Sequence, residues 1–525
     1  MTGVELVLIL LAASVVLAIA AERIRLPYPI VLLVGGVVLA FTPVPHLEIE
    51  PEIVLVVFLP PLLFSAAWLT SWHDFRANVR TIGLLAIGLV IATTLGVAVV
   101  AHALIPGMPW GVAFVLGAIV SPPDAVAATT VMQRLHVPSR LVTILEGESL
   151  VNDATGLVAY QVTLAVVAGG TFSASHAAFQ FAYVGLGGIV FGFVVGWLVA
   201  KVHRRLDDFQ VETGISLLTP YIAYIPAEHL GVSGVLAAVT AGGYLGWRSP
   251  QLFSPVTRLR SRSVWSTVLF LFNGLVFILM GLELAGTHRL LASMSTTGIV
   301  EWCAAIAGTT IVIRLLWVPI AMHLPYRLVK RIRRHESAPA WKDTAVVSWT
   351  AMRGIVSLAL VLALPETLAD GTPFPLRDLL VLLVFAVIAV TLLGQGLSLP
   401  FVIGALGFVD DGSALRKERE ALLRGTESAL AHLDSFAKAS KIEPRAVERL
   451  RETYQRRRER LRASIHDDPS ALVSAEREGF RQLREQLLAA ERGIYVALRD
   501  EGAITEEILQ RLLQDLDLET MQPLR

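Results

Sequence analysis

The sequence predicts an all-α polytopic membrane protein of about 13 transmembrane helices, followed by a helical tail. Three observations predict it. Of 525 residues, 54% are hydrophobic and only 17% charged, with a mean hydropathy of +0.63; that is the composition of an integral membrane protein. The apolar residues fall into about thirteen runs separated by short polar loops. The charge is also lopsided, since residues 410–525 carry 21 basic and 23 acidic side chains, half of all those in the chain. These features predict a transmembrane domain, 1–409, and a helical cytoplasmic tail, 410–525. The formal net charge of zero singles out no partner. One cysteine, Cys303, excludes an internal disulfide.

In chain order the runs are 4–20, 29–41, 53–68, 82–105, 110–132, 141–166, 177–200, 214–227, 232–247, 264–284, 298–322, 344–365 and 379–406. The first lacks a basic leader, carries Glu5 and ends at Glu22-Arg23 without a small-residue cleavage pattern, so it reads as a retained helix. Loop charges orient the set. The loops after odd-numbered runs hold nineteen Lys and Arg; those after even-numbered runs hold only Arg289 and Arg377. Basic loops stay cytoplasmic, which places the N-terminus outside and the tail inside.

The sixth run has apolar length but polar content: Glu146, Glu148, Ser149, Asn152 and Asp153. Asp153 stands 12 residues past Leu141, about 18 Å along a helix axis and so near the midplane. A carboxylate there costs about 2.5–3.5 kcal/mol on insertion scales, and its default reading is an ion or proton site. Glu146, Ser149 and Asp153 share one helix face, while Glu148 and Asn152 form an i, i+4 pair on the next.

Two other runs are broken at similar depth. The fifth places Pro122 and Pro123 ahead of Asp124; two prolines remove two amide donors, which suits a broken helix lining a cavity. The twelfth places Arg353-Gly354 nine residues past Thr344. The two lie seven helices apart and cross in opposite directions, the pattern of inverted repeats with a midplane transport site. Arg353 and, nearer the cytoplasm, Arg314 are the strongly basic groups at such depth. A Glu148–Arg353 ion pair is the economical arrangement. Asp153 is then left without a fixed cation, open to a proton or to a hard cation such as Na⁺.

The segments EGESLVNDATGLV, FLPPLLFSAAW, SPPDAVA, TAMRGIVSLAL and GQGLSLP resemble the bacterial sodium/proton exchangers of the monovalent cation:proton antiporter superfamily. The tail segment GAITEEILQRLLQDLDLE resembles theirs as well. The resemblance implies a homodimer with inverted repeats, an elevator-like moving core, and electroneutral Na⁺(Li⁺)/H⁺ exchange because the pair Asn152-Asp153 is Asn-Asp. It makes Asp153 the shared Na⁺/H⁺ carboxylate and Ser149 a Na⁺ ligand, has Asn152 and Asp124 support the crossed segments, and pairs Glu148 with Arg353. Two departures stand out. The family's third-helix motif usually ends in Glu, where this chain has Ser65; and its Thr-Asp-Pro becomes Pro123-Asp124-Ala125, which keeps a backbone carbonyl for the ion but loses the hydroxyl.

Plainer roles stand beside these. Asp124 either caps a half-helix or touches the ion, and Glu146 either snorkels or collects cations at the entrance. Arg314 snorkels or finds an internal partner, and Glu283 is solvated or belongs to an outer funnel. In the tail, Leu422, Leu430, Leu433, Leu450, Leu483, Leu487 and Leu488 suit the core of a helical hairpin or a dimer contact. No phosphate loop, catalytic triad, metal-ligand spacing or nucleic-acid motif stands out, so neither an enzyme nor a cofactor is expected. The expected partners are a monovalent cation, a proton, the bilayer and a second copy of the chain. K⁺/H⁺ exchange, and a cation channel or tail-regulated sensor, are the competing functions.

Overall fold

The computed structural model describes residues 3–24, 26–41, 51–135, 137–169, 174–206, 208–286, 296–330, 333, 338–368, 371–408, 413–440 and 444–466, with scattered residues between 487 and 513. Contacts divide the chain into two compact units, Met1–Val409 and Asp410–Arg525.

Among the described residues, the first unit is built from thirteen helical segments. They are α1 (Gly3–Ile24), α2 (Tyr28–Ala40), α3 (Pro51–Leu69), α4 (Trp72–Leu104), α5a (Trp110–Val120) with α5b (Val126–Arg134), α6 (Ser139–Val167) and α7 (Ala174–His203). There follow α8 (Phe209–His229), α9 (Gly234–Leu252), α10 (Pro255–Gly286), α11 (Thr296–Leu328), α12a (Trp341–Trp349) with α12b (Ile355–Leu362), and α13 (Arg377–Leu406). Seven are long and apolar enough to cross a membrane as single helices; α2 and the half-helices are shorter.

Local chemistry explains the irregular points. The α5 break coincides with Pro122 and Pro123, which have no amide to donate. In α13 a π-helical turn spans Val390–Gln395. Inside it the Thr391 hydroxyl bonds back to Val387 O at 2.7 Å and accepts the Arg353 amide at 3.1 Å. The extra residue of the turn thus serves a contact to the break in α12, a common use of π-bulges. A second π-turn, Leu84–Leu89 in α4, exposes the Leu84 carbonyl to the Trp317 indole at 3.0 Å.

The segments sort into two bundles. One joins α4, α5, α6, α11, α12 and α13; the other joins α1, α2, α3, α7, α8, α9 and α10. Packing within each is much denser than between them. In the second bundle α2 and α10 meet at Gly36 and Gly281. A Cβ on either would lie 2.2 Å from a carbonyl oxygen of the other helix, Ile278 O or Leu33 O. Small residues let membrane helices approach this closely where apolar lipid supplies no hydrophobic drive.

The tail unit contains α14 (Ser413–Ser440) packed on α15 (Pro444–His466), with Arg462 Nη2 donating to Glu427 Oε1 at 2.6 Å. Leu422, Leu430 and Leu433 are half-buried and Leu488 is buried, but Leu450 and Leu487 are 46% and 62% exposed. The expected leucine core is therefore only partly formed. Leu483 and the side chain of Glu283 lie outside the described residues.

Candidate functional site

The two broken helices cross at their breaks, and the crossing is fastened by backbone. The Asp124 amide donates to Met352 O at 2.7 Å. Around this point sit four half-helix ends, each needing partners for its orphaned amides or carbonyls.

The N-terminal ends share one carboxylate. Asp124 Oδ1 accepts the Val126 amide at 2.8 Å, at the start of α5b, and the Ile355 amide at the start of α12b is a second donor to it. Ser149 Oγ on α6 accepts the Ala125 amide at 3.4 Å. A negative group between two helix N-termini is favoured by both dipoles. It also explains Gly354, where a Cβ would lie 1.8 Å from Asp124 Oδ2.

The C-terminal ends take the two arginines. Arg353 Nε donates to Val120 O at 2.9 Å, closing the end of α5a, and its Nη1 donates to Ala351 O. Arg314 Nε donates to Val347 O at 3.1 Å, closing the end of α12a. Both side chains are fully buried. Cations at helix C-termini complete the charge pattern of the crossing.

Glu148 does not pair with Arg353. It is held by Arg314 instead, through Nη1 to Oε1 and Nη2 to Oε2, the second at 2.9 Å. The reason is geometric: the end of α12a lies beside α11, so Arg314 spans both the Val347 carbonyl and the α6 carboxylate, whereas Arg353 turns toward α5a. A buried, bidentate Arg–carboxylate pair satisfies both groups.

Asn152 is fully buried and its Nδ2 donates to Pro123 O at 3.3 Å, tying α6 to the break. The carbonyl expected to face the ion is the one that accepts this bond, which uses one of its two lone pairs. Asp153, 6% exposed, has a different neighbourhood: the charged group acting on it is Asp124, and among the described residues no arginine is bound to it. It lines a cavity of about 160 Å³ with Asp124, Ser149, Ser65, Asn273 and Gly354. Ser65 is buried and donates its hydroxyl to Leu62 O at 2.9 Å within its own helix. Glu146 is half-buried and lies outside this lining.

The cavity lies between the bundles, with α3 and α10 on one wall and α5, α6 and α12b on the other. A larger cavity of about 480 Å³ shares Ser65 and Leu69 with it and runs past Trp68, Phe253 and Trp265 to Arg258 and Arg262. Asn273 is absent from the expected site. In the sequence it is a lone amide in the middle of an apolar run, without the charge that marks a midplane site residue.

Two crossed broken helices at the seam of two bundles, with one carboxylate left uncommitted, define a secondary transporter of the broken-helix kind. The profile of the family described as "Sodium/hydrogen exchanger, transmembrane" matches residues 9–404. The chain is 34% identical over 527 residues to an uncharacterized Na(+)/H(+) exchanger of Mycobacterium tuberculosis, covering 99% of this chain and 96% of that one. It is 30% identical to the sodium, potassium, lithium and rubidium/H(+) antiporter of Bacillus subtilis, covering 95% and 75%. Its fold is similar to that of the sodium proton antiporter MjNhaP1 from Methanocaldococcus jannaschii, with a TM-score of 0.58 at 19% identity over 77% of this chain and 99% of the other. The chain belongs to the sodium/hydrogen exchanger family. It is a multi-pass membrane protein and a secondary transporter, not an enzyme.

Proposed function

We propose that the chain is a Na⁺(Li⁺)/H⁺ antiporter in which cation and proton compete for Asp153, exchanging one for one by alternating access. The observation that carries this reading is the commitment of every other buried charge at the crossing. Arg353 and Arg314 serve helix C-termini, Glu148 holds Arg314, and Asp124 serves two N-termini. Asp153 faces the cavity bound neither to a basic side chain nor to a helix N-terminus among the described residues. A single exchangeable carboxylate has room for one charge at a time, which supports electroneutral exchange. Ser149 borders the same cavity and is the hydroxyl ligand in this reading.

The larger cavity leads from Ser65 toward Arg258 and Arg262 in the first turns of α10, among the basic residues expected to stay cytoplasmic. In this reading the N-terminus is outside, the tail is cytoplasmic, and the site opens inward. Pairing of two copies through the second bundle completes the picture. A channel reading is disfavoured because the polar groups gather at one depth instead of forming successive rings.

The test uses purified protein in liposomes with a trapped pH dye. Adding Na⁺ should dissipate an imposed proton gradient, and lowering pH should raise the KM for Na⁺ while the maximal rate changes less. Asp153→Asn cannot exchange a proton, so it should fold normally and exchange nothing. Exchange that survives in Asp153→Asn would overturn the assignment. One observation favours K⁺/H⁺ exchange as the second reading: Ser65 leaves the wall opposite Asp153 without a carboxylate. The name of the Bacillus subtilis relative also includes potassium. Dissipation by K⁺ at least equal to that by Na⁺ would decide for it.

A further inference from the structure

The wall facing Asp153 across the cavity belongs to α3 and α10, and it contributes two polar side chains to the lining, Ser65 and Asn273. Ser65 spends its hydroxyl proton on its own helix. Asn273 differs. It is 7% exposed, and its Oδ1 is buried with no hydrogen-bond partner. Its amide group is oriented by a bond to the Tyr28 hydroxyl, in which Asn273 is the donor. The donor side of the amide is therefore committed to Tyr28 on α2, and the acceptor is left unpaired on a residue that lines the cavity.

Buried acceptors are rarely left unanswered, and an unpaired one beside a polar cavity calls for a partner such as water or an ion. Here the cavity also presents two carboxylates, Asp124 and Asp153, and the Ser149 hydroxyl. The groups assembled are oxygen donors suited to a hard cation. We propose that the Asn273 amide oxygen is a direct ligand of the transported cation, supplied by the second bundle to complete a cage whose other members lie on the first. This rests on the antiporter reading above and adds to it the ligand that stands across the seam. A neutral oxygen there attracts a cation without taking a second proton, so it leaves Asp153 as the one exchanging group.

The test separates a ligand from a packing residue. In liposomes, Asn273→Ala should raise the KM for Na⁺ and Li⁺ about tenfold or more, the scale of one lost bond to a charged group, while the maximal rate stays within a few-fold. Asn273→Asp keeps an oxygen in place and adds charge. It should restore or lower KM at alkaline pH and make transport more steeply pH-dependent, because two carboxylates then share one site. Tyr28→Phe removes the orienting partner but keeps the amide oxygen, and should shift KM less than Asn273→Ala. Where Asn273→Ala fails to fold, Li⁺ titration calorimetry on Asn273→Asp and Asn273→Ser at alkaline pH carries the test, both expected to bind. An unchanged KM in Asn273→Ala, or a KM raised equally by Asn273→Asp and Asn273→Ala, overturns the proposal. If Asp153→Asn is inactive in the same preparation, only the Asn273 ligand fails; if it is active, the antiporter reading fails with it.

Discussion

Arg314 and Arg353 illustrate how a fully buried guanidinium is accommodated when no water reaches it. Each closes the C-terminal carbonyls of one half-helix, and Arg314 adds a bidentate carboxylate. Removing one partner of a buried pair leaves the other charge uncompensated, at about 3–5 kcal/mol. Arg314→Ala and Glu148→Ala should each lower thermal stability strongly, and the double variant should cost much less than their sum. A double-mutant cycle of Glu148 with Arg353 should show far weaker coupling. Equal coupling to both arginines would contradict the assignment. The pairing was not legible in the sequence, and the reason is dimensional. Helix spacing fixes how deep a residue sits, and Arg353 was the basic residue assigned to the depth of Glu148. It does not fix which neighbour lies beside α6. That is decided by lateral packing, which brings α11 and the end of α12a together. Asn273 is illegible for a related reason: charge advertises a midplane residue, whereas a neutral amide in an apolar run costs too little to stand out.

The broken helices were the most legible elements, because Pro122-Pro123 and Gly354 state their purpose chemically. Proline removes a donor wherever it lies, and glycine permits the close approach that Asp124 requires. The π-turns were illegible. Nothing in LLAIGL or VTLLGQ breaks apolar periodicity, and the turn in α13 is explained only by the contact of Thr391 with the Arg353 amide. The tail leucines were partly legible, since helical spacing identifies a stripe but not which members a second helix covers. The crossing itself can be tested at Gly354. A methyl group there would lie 1.8 Å from Asp124 Oδ2 and 2.6 Å from its Cγ, so the carboxylate must leave one or both N-termini. Gly354→Ala should abolish most transport and cost about 1–3 kcal/mol of stability, the usual scale of overpacking. Gly308→Ala in α11, where a Cβ meets nothing within 4 Å, should change neither. Thermal unfolding and liposome transport read both variants, and an active Gly354→Ala would show that Asp124 does not need its present position.

Assembly into two bundles places the site on a seam that neither bundle owns. The first supplies Asp153, Asp124 and Ser149; the second supplies Ser65 and Asn273. Dense packing within each bundle and sparse packing between them is the mechanical condition for relative sliding, because packed interiors resist deformation while a thin interface shifts as a unit. We propose that transport moves the first bundle against the second, carrying the crossing with it. Leu62 on α3 and Val356 on α12b line the same cavity from opposite walls, so they report on the seam directly. The lone cysteine, Cys303, is removed first as Cys303→Ser. In that background, Leu62→Cys with Val356→Cys joined by oxidation should stop antiport, and reduction should restore it. Each single cysteine variant, treated with the same oxidant, should transport as before. A cross-linked protein that still exchanges cation for proton would mean that the bundles do not slide, and that access to Asp153 alternates through smaller local motions of α5 and α12.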